Sequence, residues 1–314
     1  MDIPNEIRAA VEEESAKFEH QLLMAASQNL SKNYREDSCS KTITKEEEIA
    51  AYAVSRMPAT YSAVSNALQK TYALLPNPPK NIIDIGAGTG AASLAAINLF
   101  DGVDSVLCLE KEQEMLNFGQ KLFEKLGIKN STWQRFSISK QEIENTADLV
   151  LISYVLNEIK DAEIEAILEK LWNATNEILL IIEPGTPSDF ARMLKIREIL
   201  LSKGAFLLAP CPHGKTCPIS GDDWCHFSTR LSRSKLQILA KKGEMPYEDE
   251  KFTYLAFSKT ATRKAAGRVL RQPIINPKCV SLKLCTEAGI QEKIITKSMP
   301  QYKSARKVKA GDEF

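Results

Sequence analysis

The chain predicts an α/β fold: a parallel sheet of the Rossmann-like kind, with a helical layer before it and a small β unit after it. Three observations carry this reading. From Asn81 onward, short runs rich in Val, Ile and Leu alternate with helical stretches, the pattern of a sheet covered on both faces. The residues before them repeat apolar side chains at three and four spacings, the period of helices. A glycine-rich turn, "DIGAGTG", joins the first strand-like run to a helical one, as in folds that hold a ligand at a strand-to-helix transition.

The elements follow in order. "NEIRAAVEEESAKFEHQLLMAASQNL" has helical spacing and no internal Pro or Gly. "KEEEIAAYAVSRMPATYSAVSNALQKTYALL" has the same character but contains Pro58. Proline suits a first helical turn and breaks an interior, so two helices should meet near "RMPATY". "PNPPK" ends this layer. The strands expected next are "NIIDIG", "SVLCLE", "STWQRF", "DLVLISYVL" and "EILLIIEPG", followed later by "AFLLAP" and "FTYLAFSK". Helices such as "EQEMLNFGQKLFEKLG", "DAEIEAILEKLW" and "SDFARMLKIREILLSKG" lie between several of them. Beyond Thr260, "RVLRQPII", "CVSLKLC" and "EKIITKS" read as a small β unit. The expected regions are 1–78, helical; 79–262, the sheet domain with a Cys-rich insertion over 204–230; and 263–314, a basic β unit and tail.

Composition narrows the function classes. With 314 residues and 44% apolar content, the chain can bury one large core and smaller satellites. Seven cysteines are too few for a disulfide scaffold of this length. No run approaches 18 apolar residues, so no membrane span or membrane partner is expected. The start, "MDIPNEIRAAVEEES", lacks the apolar core of a secretory signal and the Arg-rich character of a transit peptide. The expectation is therefore a reducing cytoplasm and no targeting segment. The net charge of +1 hides an asymmetry: residues 259–314 hold 13 Lys/Arg against 4 Asp/Glu, the remainder 28 against 36. A basic end on an acidic body suggests a polyanionic partner, with DNA not expected.

In "NIIDIGAGTGAASL", Gly86, Gly88 and Gly90 let the backbone turn sharply and approach a ligand. The spacing also fits a dinucleotide fingerprint, so NAD is an alternative. The position of Asp84 within the strand favours S-adenosylmethionine, because the segment resembles the D-x-G-x-G-x-G motif of class I methyltransferases. Glu110 ends the next strand, where a carboxylate can accept from two ribose hydroxyls. Ligands in such sheets sit at the carboxyl ends of the strands, which makes Tyr154, Asn157 and Glu158 in "SYVLNEI" candidates for the reacting end. Glu183 in "IIEPGTP" is a fourth. No N-P-P-Y amino-methylation motif and no Pro-Cys nucleophile occurs there, so the acceptor atom is not readable. Methyl transfer needs mainly an in-line approach, and proximity can supply much of the rate.

"CPHGKTCPISGDDWCHF" gathers Cys211, Cys217 and Cys225 in a long polar loop. The five- and seven-residue gaps are not those of a zinc knuckle. A loop of that length inside a compact domain still needs something to close it. Structural metal binding contributes on the order of 10–16 kcal/mol in zinc peptides, more than the loop's few apolar side chains can. The fourth ligand is open among His213, His226, Cys279 and Cys285. Cys39 and Cys108 fit poorly, one remote and one inside an apolar strand. Four thiolates suit a 4Fe–4S cluster or zinc alike.

"RMPATY", the glycine loop, "EPGTP", "APCPH…CP…WCHF" and "LKLCTEAG" together resemble one family over roughly residues 45 to 310. It comprises the methyltransferase-like proteins associated with the mitochondrial small ribosomal subunit and their bacterial relatives. The resemblance implies a class I methyltransferase fold, a role in small-subunit assembly and a 4Fe–4S cluster. Three of its ligands match Cys211, Cys217 and Cys225, and the fourth is best matched by Cys285, with Cys279 the competitor. It also implies that Arg56 and Tyr61 pack beside the cofactor crevice. The acidic start differs from mitochondrial members and favours a bacterial cytoplasmic protein. The expected function is methyl transfer to small-subunit ribosomal RNA, with Arg263, Lys264, Arg268, Arg271, Lys303, Arg306, Lys307 and Lys309 facing phosphates. A non-catalytic assembly factor that binds S-adenosylmethionine and RNA is one alternative, and a small-molecule methyltransferase with a structural metal is another.

Overall fold

A computed structural model describes residues 2–35, 43, 45–241 and 244–314. The helical layer comprises α1 (Asn5–Ser15), α2 (His20–Arg35), α3 (Glu46–Ser55) and α4 (Met57–Tyr72). α3 and α4 meet at Arg56, and Pro58 falls in the first turn of α4, where its missing N–H has no helical partner to lose. The first expected helix is two. The chain breaks between Ser15 and His20, where the Phe18 N–H bonds to Ser15 O. The two halves then pack differently, α1 against α3 and α6, α2 against α3 and α9.

The sheet domain runs β1 (Asn81–Ile85), α5 (Ala91–Leu99), β2 (Ser105–Glu110), α6 (Gln113–Lys125), β3 (Ser131–Arg135), β4 (Ala147–Ser153), α7 (Asp161–Asn173), β5 (Thr175–Pro184), α8 (Pro187–Ser202), β6 (Phe206–Ala209), β7 (Phe227–Ser232), α9 (Lys235–Lys241) and β8 (Tyr247–Ser258). A short 3-10 turn, Leu156–Glu158, follows β4. Strand order is β3-β2-β1-β4-β5-β8-β6. The first five are parallel, and β8 runs antiparallel between β5 and β6. The sheet is therefore mixed rather than wholly parallel. One core face joins the helical layer to Ile82, Leu149, Leu180 and Tyr254. The other packs α7 and α8 against Ile83, Val150, Leu179 and Phe257. Buried on both faces, β4 and β5 read as continuous apolar runs.

β6 and β7 both pair with the edge of β8 that β5 leaves free, β6 at Ala256–Ser258 and β7 at Tyr247–Phe252. The cysteine loop is the excursion between them, opposite Thr253, Tyr254 and Leu255. The last residues form β9 (Gly267–Val269), β10 (Ile274–Ile275), β11 (Cys279–Thr286), β12 (Gly289–Thr296) and α10 (Tyr302–Ala305). These strands make a second sheet around Val269, Val280, Leu282, Leu284 and Ile295. Ion pairs tie this unit down. Lys70 of α4 bonds to Asp312, and Asp223 of the cysteine loop bonds to Arg271 and Lys283. Among the described residues, no helix is long and apolar enough to cross a membrane.

Candidate functional site

β1 has β2 on one side and β4 on the other, so chain connections diverge there and a crevice opens at the strands' carboxyl ends. Gly86, Gly88 and Gly90 all take left-handed φ, of 70°, 55° and 88°. A Cβ at Gly86 would stand 2.3 Å from Val155 Cγ2, whereas one at Gly88 would meet nothing within 4 Å. The first glycine is needed for packing against the β4 end; the second leaves open space above the loop, the kind of cradle an adenosyl group fills.

The two acidic residues hold the loop from opposite sides. Asp84 is buried beneath it, and its Oδ2 accepts from the Ser93 N–H and Oγ–H at 3.0 and 2.7 Å. Burial lifts its pKa to about 6 against the opposing Ser93 bonds. Its Oδ1 is buried without a partner. Glu110 Oε2 accepts from Gly88 N at 2.7 Å and Oε1 from Glu112 N at 2.9 Å. Burial raises this carboxyl also, with those N–H bonds opposing. Asp84 thus braces the loop from below, and Glu110 closes it onto the end of β2.

Four candidates for the reacting end differ in setting. Tyr154, just past β4, has φ 59°, rare for a residue with a bulky side chain. Its hydroxyl donates to Glu250 Oε1 at 3.0 Å. Burial, then the charge of Glu250, pushes its pKa well up, and Arg56 opposes. Glu250 lies on β8, beyond the reach of a local motif. Glu183 is wholly buried and accepts from Leu156 N at 2.8 Å. Burial lifts it to about 8, with the Leu156 N–H opposing and Asp189 adding. Asn157 Oδ1 and Glu183 Oε2 are buried without partners. Glu158 faces outward toward Lys111 Nζ at 3.4 Å. Tyr61 accepts from Asn98 Nδ2 at 3.2 Å, eight residues along α5 from Gly90 and so roughly 12 Å from the loop. Arg56 is the one of that pair whose charge reaches Tyr154.

The cysteine loop and β11 meet. One cavity is lined by Cys211, Cys217, Cys225 and Cys285, with Tyr254 of β8 among its walls. Cys285 Sγ lies 3.8 Å from His213 Nε2. Cys279 is six residues away on the same strand, roughly 20 Å. His226 stacks on Trp224 instead, their centroids 4.8 Å apart. Cys108 is buried in β2 beside Ser93 Oγ. Cys39 lies outside the described residues. Burial raises the Cys211 thiol, and Arg197 opposes it most; Cys285 is pushed up to about 12 by burial, then by Cys211 and Cys217. Trp224 Nε1 donates to Gly185 O at 2.9 Å, which lays the loop over the end of β5. Among the described residues, no group of three or more His, Cys, Asp or Glu side chains is arranged to hold a metal ion.

The basic candidates divide. Arg268 is a correction: it is 2% exposed, and its Nε and Nη1 donate to Pro210 O and Gly311 O at 2.8 and 2.9 Å, so it faces no phosphate. Arg263 makes a bidentate pair with Glu313, and Arg271 is held by Asp223 and Trp224 O. Lys264, Lys303, Arg306, Lys307 and Lys309 are exposed.

The profile of the family described as mitochondrial small ribosomal subunit Rsm22 matches residues 46–314. The human ribosome assembly protein METTL17, mitochondrial, is 24% identical over 266 residues, covering 78% of this chain and 57% of that protein. A mitochondrial Rsm22-cox11 tandem protein of Schizosaccharomyces pombe is 23% identical, covering 88% of this chain and 44% of its own. The chain thus spans about half the length of these curated relatives. Among solved structures, an S-adenosylmethionine-dependent methyltransferase from Aquifex aeolicus matches with TM-score 0.45 at 14% identity, covering 69% of this chain and all of that one. The magnesium protoporphyrin IX methyltransferase of Synechocystis, with bound S-adenosylmethionine, gives TM-score 0.42 at 14% identity, covering 73% and 90%. The expectation of a bacterial cytoplasmic protein is overturned: the matched family and both of these curated relatives are mitochondrial.

Proposed function

Starting from the chain's membership of the Rsm22 family of methyltransferase-like small-subunit assembly factors, we propose that it binds S-adenosylmethionine in the crevice above Gly88 and acts on the ribosomal RNA of a small subunit under assembly. The observation that carries this is the left-handed glycine loop at the divergence of β1, held by Asp84 and Glu110 with open space over Gly88. Gly86, Gly88 and Gly90 would carry the cofactor, and Glu110 its ribose. The cofactor supplies an electrophilic methyl group. Tyr154, at the end of β4 with its hydroxyl on Glu250, is the residue proposed to face the acceptor. Asn157, Glu158 and Glu183 would shape the turn that carries it. Lys264, Lys303, Arg306, Lys307 and Lys309 would meet RNA phosphates. The setting proposed is a small ribosomal subunit of mitochondrial type.

The proposal includes a 4Fe–4S cluster on Cys211, Cys217, Cys225 and Cys285. Its support is the donor set: four thiols from two distant segments around one cavity. Four cysteine thiolates would hold such a cluster, which would serve there as a cross-link between the loop and β11. Bound there, it would pin the C-terminal sheet to the loop and keep the loop over β5.

A second reading, a scaffold that binds the cofactor without turnover, is favoured by one observation. Both Glu110 oxygens already accept from backbone N–H groups, so a ribose must share or displace them. Calorimetry with S-adenosylmethionine, paired with tritiated-methyl transfer to immature small subunits, separates the two. Binding with transfer supports the enzyme, and binding alone the scaffold. No binding refutes both.

A further inference from the structure

Among the described residues, two buried cations have no carboxylate hydrogen-bonded to them. Arg197 on α8 is 3% exposed and Arg268 on β9 is 2% exposed. Such burial is rare for arginine unless it is paired. Both side chains give hydrogen bonds to carbonyls, and Arg197 also reaches the Cys211 thiol. Arg197 Nη2 donates to His213 O at 3.0 Å and Lys215 O at 2.5 Å. Arg268 donates to Pro210 O and Gly311 O. Glu313, which bridges the Arg268 backbone, gives its carboxylate to Arg263. Among the described residues, Arg197 Nε and Arg268 Nη2 are buried without a hydrogen-bond partner. Leaving such a donor unanswered is costly, and more so on a charged group.

Both side chains line the cavity of Cys211, Cys217, Cys225 and Cys285. With four neutral thiols, the cavity would hold two positive charges and no carboxylate on its walls. A 4Fe–4S core in its resting 2+ state brings four thiolates and a net charge of −2, which cancels them. Neutral thiols and orphan guanidiniums are then two halves of one unfinished site.

We propose that Arg197 and Arg268 are positioning residues for this centre: their unpartnered N–H groups donate to its sulfurs, and their charges raise its reduction potential. This rests on the cluster assignment made above. The added electron takes the centre from −2 to −3, and two adjacent positive charges favour the more negative state. Hydrogen bonds to the sulfurs and outer-shell charge are the recognised controls on such potentials.

The test uses the full chain, purified without oxygen and reduced stepwise with dithionite. Arg268→Met and Arg197→Met should each disfavour reduction at least tenfold, about 59 mV for one electron. The Lys variants at both positions should recover most of the shift, because they restore charge. In unmodified protein, double-resonance spectra of the reduced cluster should show exchangeable protons close to it, lost in D2O; this needs no variant and stands if the Met forms fail to fold. A cluster whose potential ignores both Met substitutions, or one with no exchangeable proton nearby, overturns the role given to the arginines. Unmodified protein without iron or sulfide overturns the cluster assignment itself.

Discussion

Glu183→Gln gives a stability effect whose sign and size can be worked out. The side chain is wholly buried at the end of β5, and burial lifts its pKa from the usual 4.5 to about 8. In the unfolded chain it loses its proton near 4.3. Between these values the folded protein holds one proton more than the unfolded, so stability falls as pH rises through the window and levels off above about 8. Each pKa unit corresponds to about 1.4 kcal/mol, so the full effect is on the order of 5 kcal/mol. Glutamine keeps an acceptor for Leu156 N and has no proton to lose. Urea unfolding midpoints for both proteins from pH 5.5 to 9, under anaerobic conditions, should show the variant gaining on the parent as pH rises. Near pH 8 the variant should be the more stable by several kcal/mol. Curves that stay parallel would mean Glu183 titrates like a surface carboxyl, and its burial would then not govern the end of β5.

Gly86→Ala forces a Cβ to 2.3 Å from Val155 Cγ2 at φ 70°; it should cost about 2 kcal/mol or more and weaken S-adenosylmethionine binding by calorimetry, with Val155→Ala restoring part of the stability. Lys303→Ala with Lys307→Ala should flatten the log–log salt dependence of single-stranded RNA binding by about 1.4, read by filter binding; an unchanged slope places the RNA elsewhere. Lys70→Met leaves Asp312 half-buried without its cation and should destabilise the chain by about 1–2 kcal/mol, with earlier protease cleavage near the C-terminus.

Much of this architecture is legible from local chemistry. Pro58 marks the α3–α4 boundary because its position decides whether a helix can continue through it. The glycine loop is readable because only glycine tolerates its φ values and the close approach of Val155. The direction of β8 is not, since an apolar run carries no record of whether its neighbours run with it or against it. The break after Ser15 is also invisible: the residues there suit a helix, and packing on two different partners bends it. Charge misleads at Arg268, because a basic residue in a basic segment reads as exposed until its carbonyl acceptors from Pro210 and Gly311 are seen. Cys279 and Cys285 illustrate a sharper limit. They are separated by an even number on one strand, so alternation puts both on the same face, and only the docking of the β11–β12 hairpin against the loop distinguishes them.

That docking also explains why the loop sits where it does. An edge strand that paired continuously with β8 would cover Thr253, Tyr254 and Leu255. Instead the chain leaves β6, makes its cysteine excursion and rejoins the same edge as β7. The opening exposes the wall against which Cys211, Cys217 and Cys225 gather. Cys285 then arrives from the second sheet, while Asp223 binds Arg271 and Lys283 of that same sheet. From the other side, Trp224 bonds to Gly185, two residues beyond Glu183. The loop therefore touches the basic C-terminal unit at one end and the carboxyl end of β5 at the other. Loosening the cysteine cavity should be felt at both ends, because Asp223 and Trp224 tie the loop to both.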